Sequence, residues 1–178
     1  MQIHGWKAAM LAALLACAAP LAHATPTLLV LEFELIDDLG DPNSAIADQR
    51  RLVEASQALR SGLAGCDAFE LAEPEAGMLA VDTARSRNQY LHRCNGCTGT
   101  IAAAAGADLV LFPWVQKVSN LILNINAEIR DAQTEAVVAT RSVDIRGNND
   151  VSWQRGVRSL VRRLCPGASD SLSAERQR

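Results

Sequence analysis

The sequence predicts an α/β domain with a single mixed sheet and helices packed on it, in the order β-α-β-α-α-β-β-β-α. Three observations carry that expectation. Leu28 to Leu35 (LLVLEFEL) is an apolar run bounded by turn residues, with the length and density of a buried strand. Leu121 to Ile129 alternates apolar and polar residues with a period of two, as a strand with one buried and one wet face must. Other segments place apolar residues three and four apart, which is the helical repeat. Crossovers early in the chain and a meander late in it imply a mixed sheet.

Taken in order, the first strand gives way to a loop from Asp37 to Asn43 that carries Gly40 and Pro42. Ser44 is placed to cap a helix whose apolar positions include Leu52, Ala55, Leu59 and Leu63, and Gly65 to end it in the left-handed conformation. A short strand is expected near Phe69 to Ala72. Pro74 and Gly77 open a second helix toward Leu91, and Thr98 begins a short alanine-rich helix that stops at Gly106. Leu109 to Val118 reads as another buried strand. In the alternating stretch, Leu121, Leu123, Ile125, Ala127 and Ile129 point one way; Ile122, Asn124, Asn126, Glu128 and Arg130 point the other. Asp131 to Glu135 turns the chain. Val137, Ala139, Val143 and Ile145 continue on a paired strand, with Arg141 an exception on its inner side. Gly147-Asn148-Asn149 breaks the sheet, and Asn149 or Asp150 caps a last helix with the stripe Trp153, Val157, Leu160, Val161 and Leu164. Pro166 and Gly167 stop it.

The chain's 178 residues suit one domain, and its 49% hydrophobic content is enough for a core and argues against global disorder. Residues 1–24 read as a signal peptide. Lys7 is the short positive start, Ala8 to Ala19 the apolar run, Pro20 its break, and Ala22-His23-Ala24 the small-x-small cleavage signal. Leu14-Leu15-Ala16-Cys17 offers a second reading, in which Cys17 is acylated and anchors the protein as a membrane lipoprotein. Residues 25–167 are expected to form the domain, and residues 168–178 a disordered polar tail. The full chain carries 17 basic and 20 acidic residues; removing Lys7 with the leader leaves 16 against 20, a net charge of −4. Nucleic-acid binding needs a basic footprint and is not expected.

Cleavage after Ala24 leaves Cys66, Cys94, Cys97 and Cys165, an even count that argues for disulfides in an exported chain. The expected pairs are Cys94–Cys97, a tight turn eased by Gly96, and Cys66–Cys165, which joins the end of the first helix to the end of the last. Cys94-Asn95-Gly96-Cys97 also admits a thiol-redox reading, since the helix from Thr98 would stabilise a thiolate, and a metal reading that adds His92. A redox pair of the thioredoxin kind follows an early strand in a βαβ unit, whereas this pair precedes a meander. Covalent haem needs a histidine directly after the second cysteine, where Thr98 stands.

Lys117, Ser119, Asn120, Asn124 and Asn126 form a polar band on or near the sheet, either a binding face or a solvated one. Arg155, Arg158 and Arg162 recur at spacings of three and four on the last helix, beside Arg163, and form either a solvated face, the commoner case, or one that meets an acidic partner or anionic lipid. Asp37 and Asp38 are paired acids in a loop with no evident acid/base partner. No Walker loop, Gly-x-Gly-x-x-Gly, Gly-x-Ser-x-Gly or His-Glu-x-x-His occurs.

Two resemblances add to this reading. Val30-Leu31-Glu32-Phe33-Glu34, Gly40-Asp41-Pro42, Gly106-Ala107-Asp108-Leu109-Val110-Leu111 and Ile129-Arg130-Asp131-Ala132-Gln133-Thr134 resemble the N-terminal domain of the TolB translocation protein. That style is shared by the curli secretion lipoprotein CsgG and by lipoprotein activators of penicillin-binding proteins. In those domains a glycine closes the hairpin turn where this chain has Glu135, which implies a different turn here. The run Val115 to Asn124, Asp144-Ile145-Arg146-Gly147-Asn148, Ser152-Trp153 and Cys94-Asn95-Gly96-Cys97 is similar to a bacterial domain-of-unknown-function family of the DUF3280/DUF2380 type. That resemblance implies a periplasmic place, no established activity and, for some members, quinoprotein alcohol dehydrogenase gene neighbourhoods. The expectation is thus a periplasmic, non-catalytic accessory protein that binds an envelope partner and needs no cofactor. The alternative is a thiol-redox or metal-handling protein using Cys94 and Cys97.

Overall fold

The computed structural model describes residues 24–165. The expected leader, the Cys17 anchor and the polar tail fall outside that range, apart from the last residue of the leader. The element order is β1 (Thr27–Val30), β2 (Glu34–Asp37), α1 (Ala45–Leu63), β3 (Glu70–Leu71), α2 (Met78–Arg87), a 3-10 turn (Leu91–Arg93), α3 (Thr98–Ala105), β4 (Leu109–Lys117), β5 (Ile122–Asp131), β6 (Val137–Arg146) and α4 (Asp150–Leu164). These strands form one mixed sheet in the order β3-β1-β4-β5-β6, with β2 also on β4. Pairings among β1, β2, β3 and β4 are parallel, and β4-β5-β6 is an antiparallel meander. Helices α1 and α4 cover one face over Leu28, Val30, Leu111, Val115, Leu123 and Ile125. Helices α2 and α3 cover part of the other over Leu29, Val110 and Phe112. The α/β class and single sheet are those the sequence predicts.

The run read as one strand is two. β1 pairs Val30 with Leu111, whereas β2 pairs Glu34 with Trp114, so β1–β2 holds one residue more than β4 and its side chains change face. Helix α1 satisfies the break: Arg60 Nη2 donates to the Val30 carbonyl at 2.8 Å, and the Phe33 N–H donates to Ser56 Oγ at 2.9 Å. Pro113 explains its position. Leu111 turns its carbonyl toward Leu31, so Pro113 two residues on faces the same side and has no N–H to offer.

Local signals differ in their fate. Asn149 caps α4 by accepting the Ser152 N–H, and Gly106 ends α3 at φ 63°. α1 instead ends on Ala64 in right-handed geometry, without a left-handed Gly65, and Ser44 makes no cap bond because Lys117 takes its hydroxyl. α2 stops at Arg87, short of the expected Leu91: residues 88–90 are not helical, and the 3-10 turn begins only at Leu91. Leu121 is 72% exposed and Val137 51%, so the inner stripes of β5 and β6 are shorter than the alternation suggests. On α4 the stripe is buried as expected, and Gly156 lets the helix seat on the sheet: a Cβ there would lie 2.6 Å from Ile125 and Ile145 side chains.

β6 is a free edge, but α4 and β6 itself cover much of it. Arg163 donates to the Ser142 carbonyl, Arg141 to Thr140 and Ser152 to Arg146. These carbonyls alternate by two and so point the same way, which leaves little of that stretch for an added strand.

Candidate functional site

Three surfaces carry the residues singled out from the sequence. On α4, Arg155, Arg158 and Arg162 are all exposed on one side, and none has an ion-pair partner among the described residues. Arg163 is spent on the β6 edge. The helix beneath is rigidly placed, by Trp153 in the core and by Cys165 at its end. The sulfurs of Cys165 and Cys66 stand at bonding distance, with their Cα atoms 5.8 Å apart.

The polar band divides. Asn124 and Asn126 lie half-buried on the sheet face that α2 and α3 leave partly open; Asn124 donates to Asp144, and Asn126 to the Asn124 carbonyl at 3.2 Å. Lys117 is not part of this face, which corrects its assignment as a surface residue. Leu109, Leu111, Val115 and Lys117 share one side of β4 by the two-residue repeat, so Lys117 enters the core and is fully buried. Its ammonium donates to Asp48 at 2.9 Å, Asp37 at 3.1 Å and Ser44 Oγ at 2.6 Å. Asp48, also fully buried, accepts from Arg51 at 3.0 Å and Asn148 at 2.8 Å; Arg51 continues to Asp150, and Asn148 accepts from Trp153. Burial would push the Lys117 pKa down, but Asp48 and Asp37 outweigh it and the net shift is upward. Burial would raise the Asp48 pKa, but hydrogen bonds from Lys117, Asn148 and Ser44 bring it below the usual carboxylate value. Asp37 thus has a partner that the sequence reading missed. The signal was present: Asp48 stands four residues before Leu52 on the apolar stripe of α1, and Lys117 stands on that of β4.

The third surface is the Cys94–Cys97 turn. Both residues are buried, their sulfurs stand at bonding distance, and both line a groove of about 450 Å³ between α2 and α3 whose other walls include Leu79, Ala84 and Ile101. The turn is anchored to the sheet: Arg130 donates to the carbonyls of Cys94 and His92 and lies 4.9 Å over the Phe112 ring. His92 stacks on Trp114 with ring centres 4.3 Å apart, and its Nδ1 lies 3.2 Å from Glu34, which also accepts the Leu91 N–H. Glu135 closes the β5–β6 hairpin at φ 58°, the left-handed conformation that a glycine adopts freely. Glu135 thus takes the left-handed conformation open to a glycine at that position. The carboxylate of Glu135 reaches back to the Gly96 N–H at 2.9 Å and the Gly99 N–H at 3.3 Å. Neither Arg130 nor Glu135 was visible as part of this site in the sequence. Among the described residues no three His, Cys, Asp or Glu side chains group as a metal ion would require.

The sheet order, with paired helix layers and a late meander, defines a mixed α/β domain with the fold of the LpoB C-terminal domain. The C-terminal domain of LpoB from Salmonella enterica matches with a TM-score of 0.50 at 20% identity, over 72% of this chain and 87% of that one. The LpoB C-terminal domain from Escherichia coli gives 0.47 at 20% identity over 72% and 88%, and TolB from Acinetobacter baumannii 0.45 at 9% over 85% and 29%. These likenesses concern the fold. The chain belongs to the family DUF3280, described as "Protein of unknown function (DUF2380)", whose model matches residues 26–164. Comparison with curated proteins found no match.

Proposed function

We propose that this protein is a non-catalytic accessory protein of the bacterial periplasm that binds an acidic envelope partner through α4. The observation that carries the reading is the row Arg155, Arg158 and Arg162, three exposed guanidinium groups without an ion-pair partner among the described residues, on a helix held rigid from beneath. A preorganised row of like charge speeds encounter with an opposite surface and fixes its orientation. Asn124 and Asn126 offer a second polar contact area on the opposite face of the sheet. The titratable groups in the interior, Lys117 with Asp37 and Asp48, and His92 with Glu34, are engaged with each other and hold elements together. The envelope placement is supported by the leader-like start of the sequence and by its resemblance to envelope domains. Among the described residues no helix is long and apolar enough to cross a membrane. Some members' quinoprotein dehydrogenase neighbourhoods suggest one source of partners.

A pull-down from periplasmic extract tests this. Arg155→Glu/Arg158→Glu/Arg162→Glu is expected to capture the partner at least about tenfold less well, because reversal replaces attraction by repulsion. Asn124→Ala/Asn126→Ala tests the second area. If both variants fold and neither weakens capture, these surfaces are not the interface; turnover of a small-molecule or thiol substrate by the purified protein would refute the non-catalytic reading. Intact-mass analysis of exported protein is expected to show an N-terminus at Thr25 without lipid. A diacylated Cys17 would make the protein a membrane-anchored lipoprotein.

The second reading, thiol exchange at Cys94 and Cys97, is favoured by one feature, the groove that reaches both residues.

A further inference from the structure

We infer that the Glu135 carboxylate guards the Cys94–Cys97 pair against reduction. Three observations converge on it. Glu135 holds a left-handed backbone at φ 58° that a non-glycine residue adopts at a cost, so something else must favour a glutamate there. Its two carboxylate oxygens each accept one backbone N–H of the cysteine segment, Gly96 inside the turn and Gly99 in the first turn of α3. The pair lines a groove, so a small thiol has a route to it.

The chemistry follows from where charge develops. In reduction by a dithiol such as dithiothreitol, a reductant thiolate attacks the Cys94 sulfur, the S–S bond breaks, and Cys97 leaves as a thiolate. The second reductant thiol then displaces Cys94 and closes a cyclic disulfide. Two electrons pass to the cysteine pair, the dithiol is oxidised, and two protons end on the cysteine sulfurs. Cys97 is the residue immediately before α3, where free amide N–H groups would normally stabilise its negative charge and speed its departure. Glu135 has already taken the Gly99 N–H and adds a negative charge beside it. Arg130, Arg93, His92 and Arg87, which lines the groove from the end of α2, are the basic groups around the segment; Arg130 is committed to the Cys94 and His92 carbonyls and to Glu128, Arg93 lies 5.5 Å over the Tyr90 ring, and Arg87 is exposed to solvent. The guard therefore raises the energy of the leaving thiolate and ties the turn to the β5–β6 hairpin.

The test compares dithiothreitol reduction of the folded protein with that of Glu135→Gln and Glu135→Gly, counting alkylated cysteines by mass. Glutamine keeps an acceptor oxygen and removes the charge, so the pair should reduce at least about threefold faster. Glycine relieves the backbone and removes both hydrogen bonds, so reduction should be about tenfold faster. In the reduced proteins, alkylation of Cys97 against pH should reach its half-maximal rate at lower pH in Glu135→Gln than in the parent. Unchanged reduction of Glu135→Gln overturns the inference. So does acceleration without that pH displacement, which reports only a loosened turn, and so does finding the pair as free thiols in the parent protein. None of these outcomes bears on the α4 interface.

Discussion

Lys117→Met is expected to destabilise the protein by about 3–5 kcal/mol, because it removes the cation shared by Asp48 and Asp37 and leaves the buried Asp48 with Arg51 as its one remaining cation. Both side chains are fully buried, and Lys117 is the group that joins Asp48 on α1 to Asp37 at the end of β2 and to the Ser44 hydroxyl. For a domain of this size the loss corresponds to a drop in Tm of roughly 10 °C. Lys117→Met/Asp48→Leu should recover part of it, since an apolar pair of similar volume replaces the two fully buried ions and only the partly exposed Asp37 loses its cation. Arg51 retains Asp150 in that variant. Thermal or denaturant unfolding of the three proteins checks the order parent, double variant, single variant. A single variant within about 1 kcal/mol of the parent would mean that the cluster is solvated rather than buried.

The same cluster sets a pH window. Asp48 has a folded pKa below its unfolded value, so its contribution is present above the unfolded pKa and is lost as pH falls through the folded one. Lys117 has a folded pKa above its unfolded value, so its contribution is full below the unfolded pKa and is lost as pH rises through the folded one. Stability from this cluster should therefore be flat between about pH 4 and pH 10 and fall on both sides. In Lys117→Met the alkaline fall assigned to this group should disappear.

Cys66→Ser/Cys165→Ser is expected to cost about 4–5 kcal/mol in the chain-entropy model, comparable to the Lys117 effect. The two cysteines are 99 residues apart in sequence, and bonding between them closes β3 through α4 into one loop and ties the end of α1 to the end of α4. The denaturant midpoint should fall while the m-value rises, because the unfolded chain without the link exposes more surface. A non-reduced peptide map should recover the two cysteine peptides joined. Alkylation of either cysteine in the native protein would show that the long bridge is absent.

Much of the fold was legible because its elements follow local repeats. The α4 stripe from Trp153 to Leu164, the inner row Leu123, Ile125, Ala127 and Ile129, and the caps at Gly106 and Asn149 each depend on residues near in sequence and on one buried face. The division of Leu28 to Leu35 was not legible. It depends on Pro113 in β4 and on Ser56 and Arg60 in α1, all distant in sequence and met only when the sheet assembles. Lys117 was misplaced for a related reason. A lysine reads as surface by composition, and its burial is tolerable only because Asp48 and Asp37 arrive from other elements to share the charge.

The candidate sites divide in the same way. The exposure of Arg155, Arg158 and Arg162 follows from helical periodicity alone, since they lie off the apolar stripe. The sequence by itself determined the α/β class, the helix faces and the four cysteines of the domain, because side-chain direction in a helix or strand repeats every few residues. Only the tertiary structure decided which carboxylate meets which cation, and that Glu135 reaches Gly96 and Gly99 across 39 and 36 residues. Hydrogen bonds and ion pairs act over about 3 Å, and the chain separations that they bridge leave no periodic trace in the sequence.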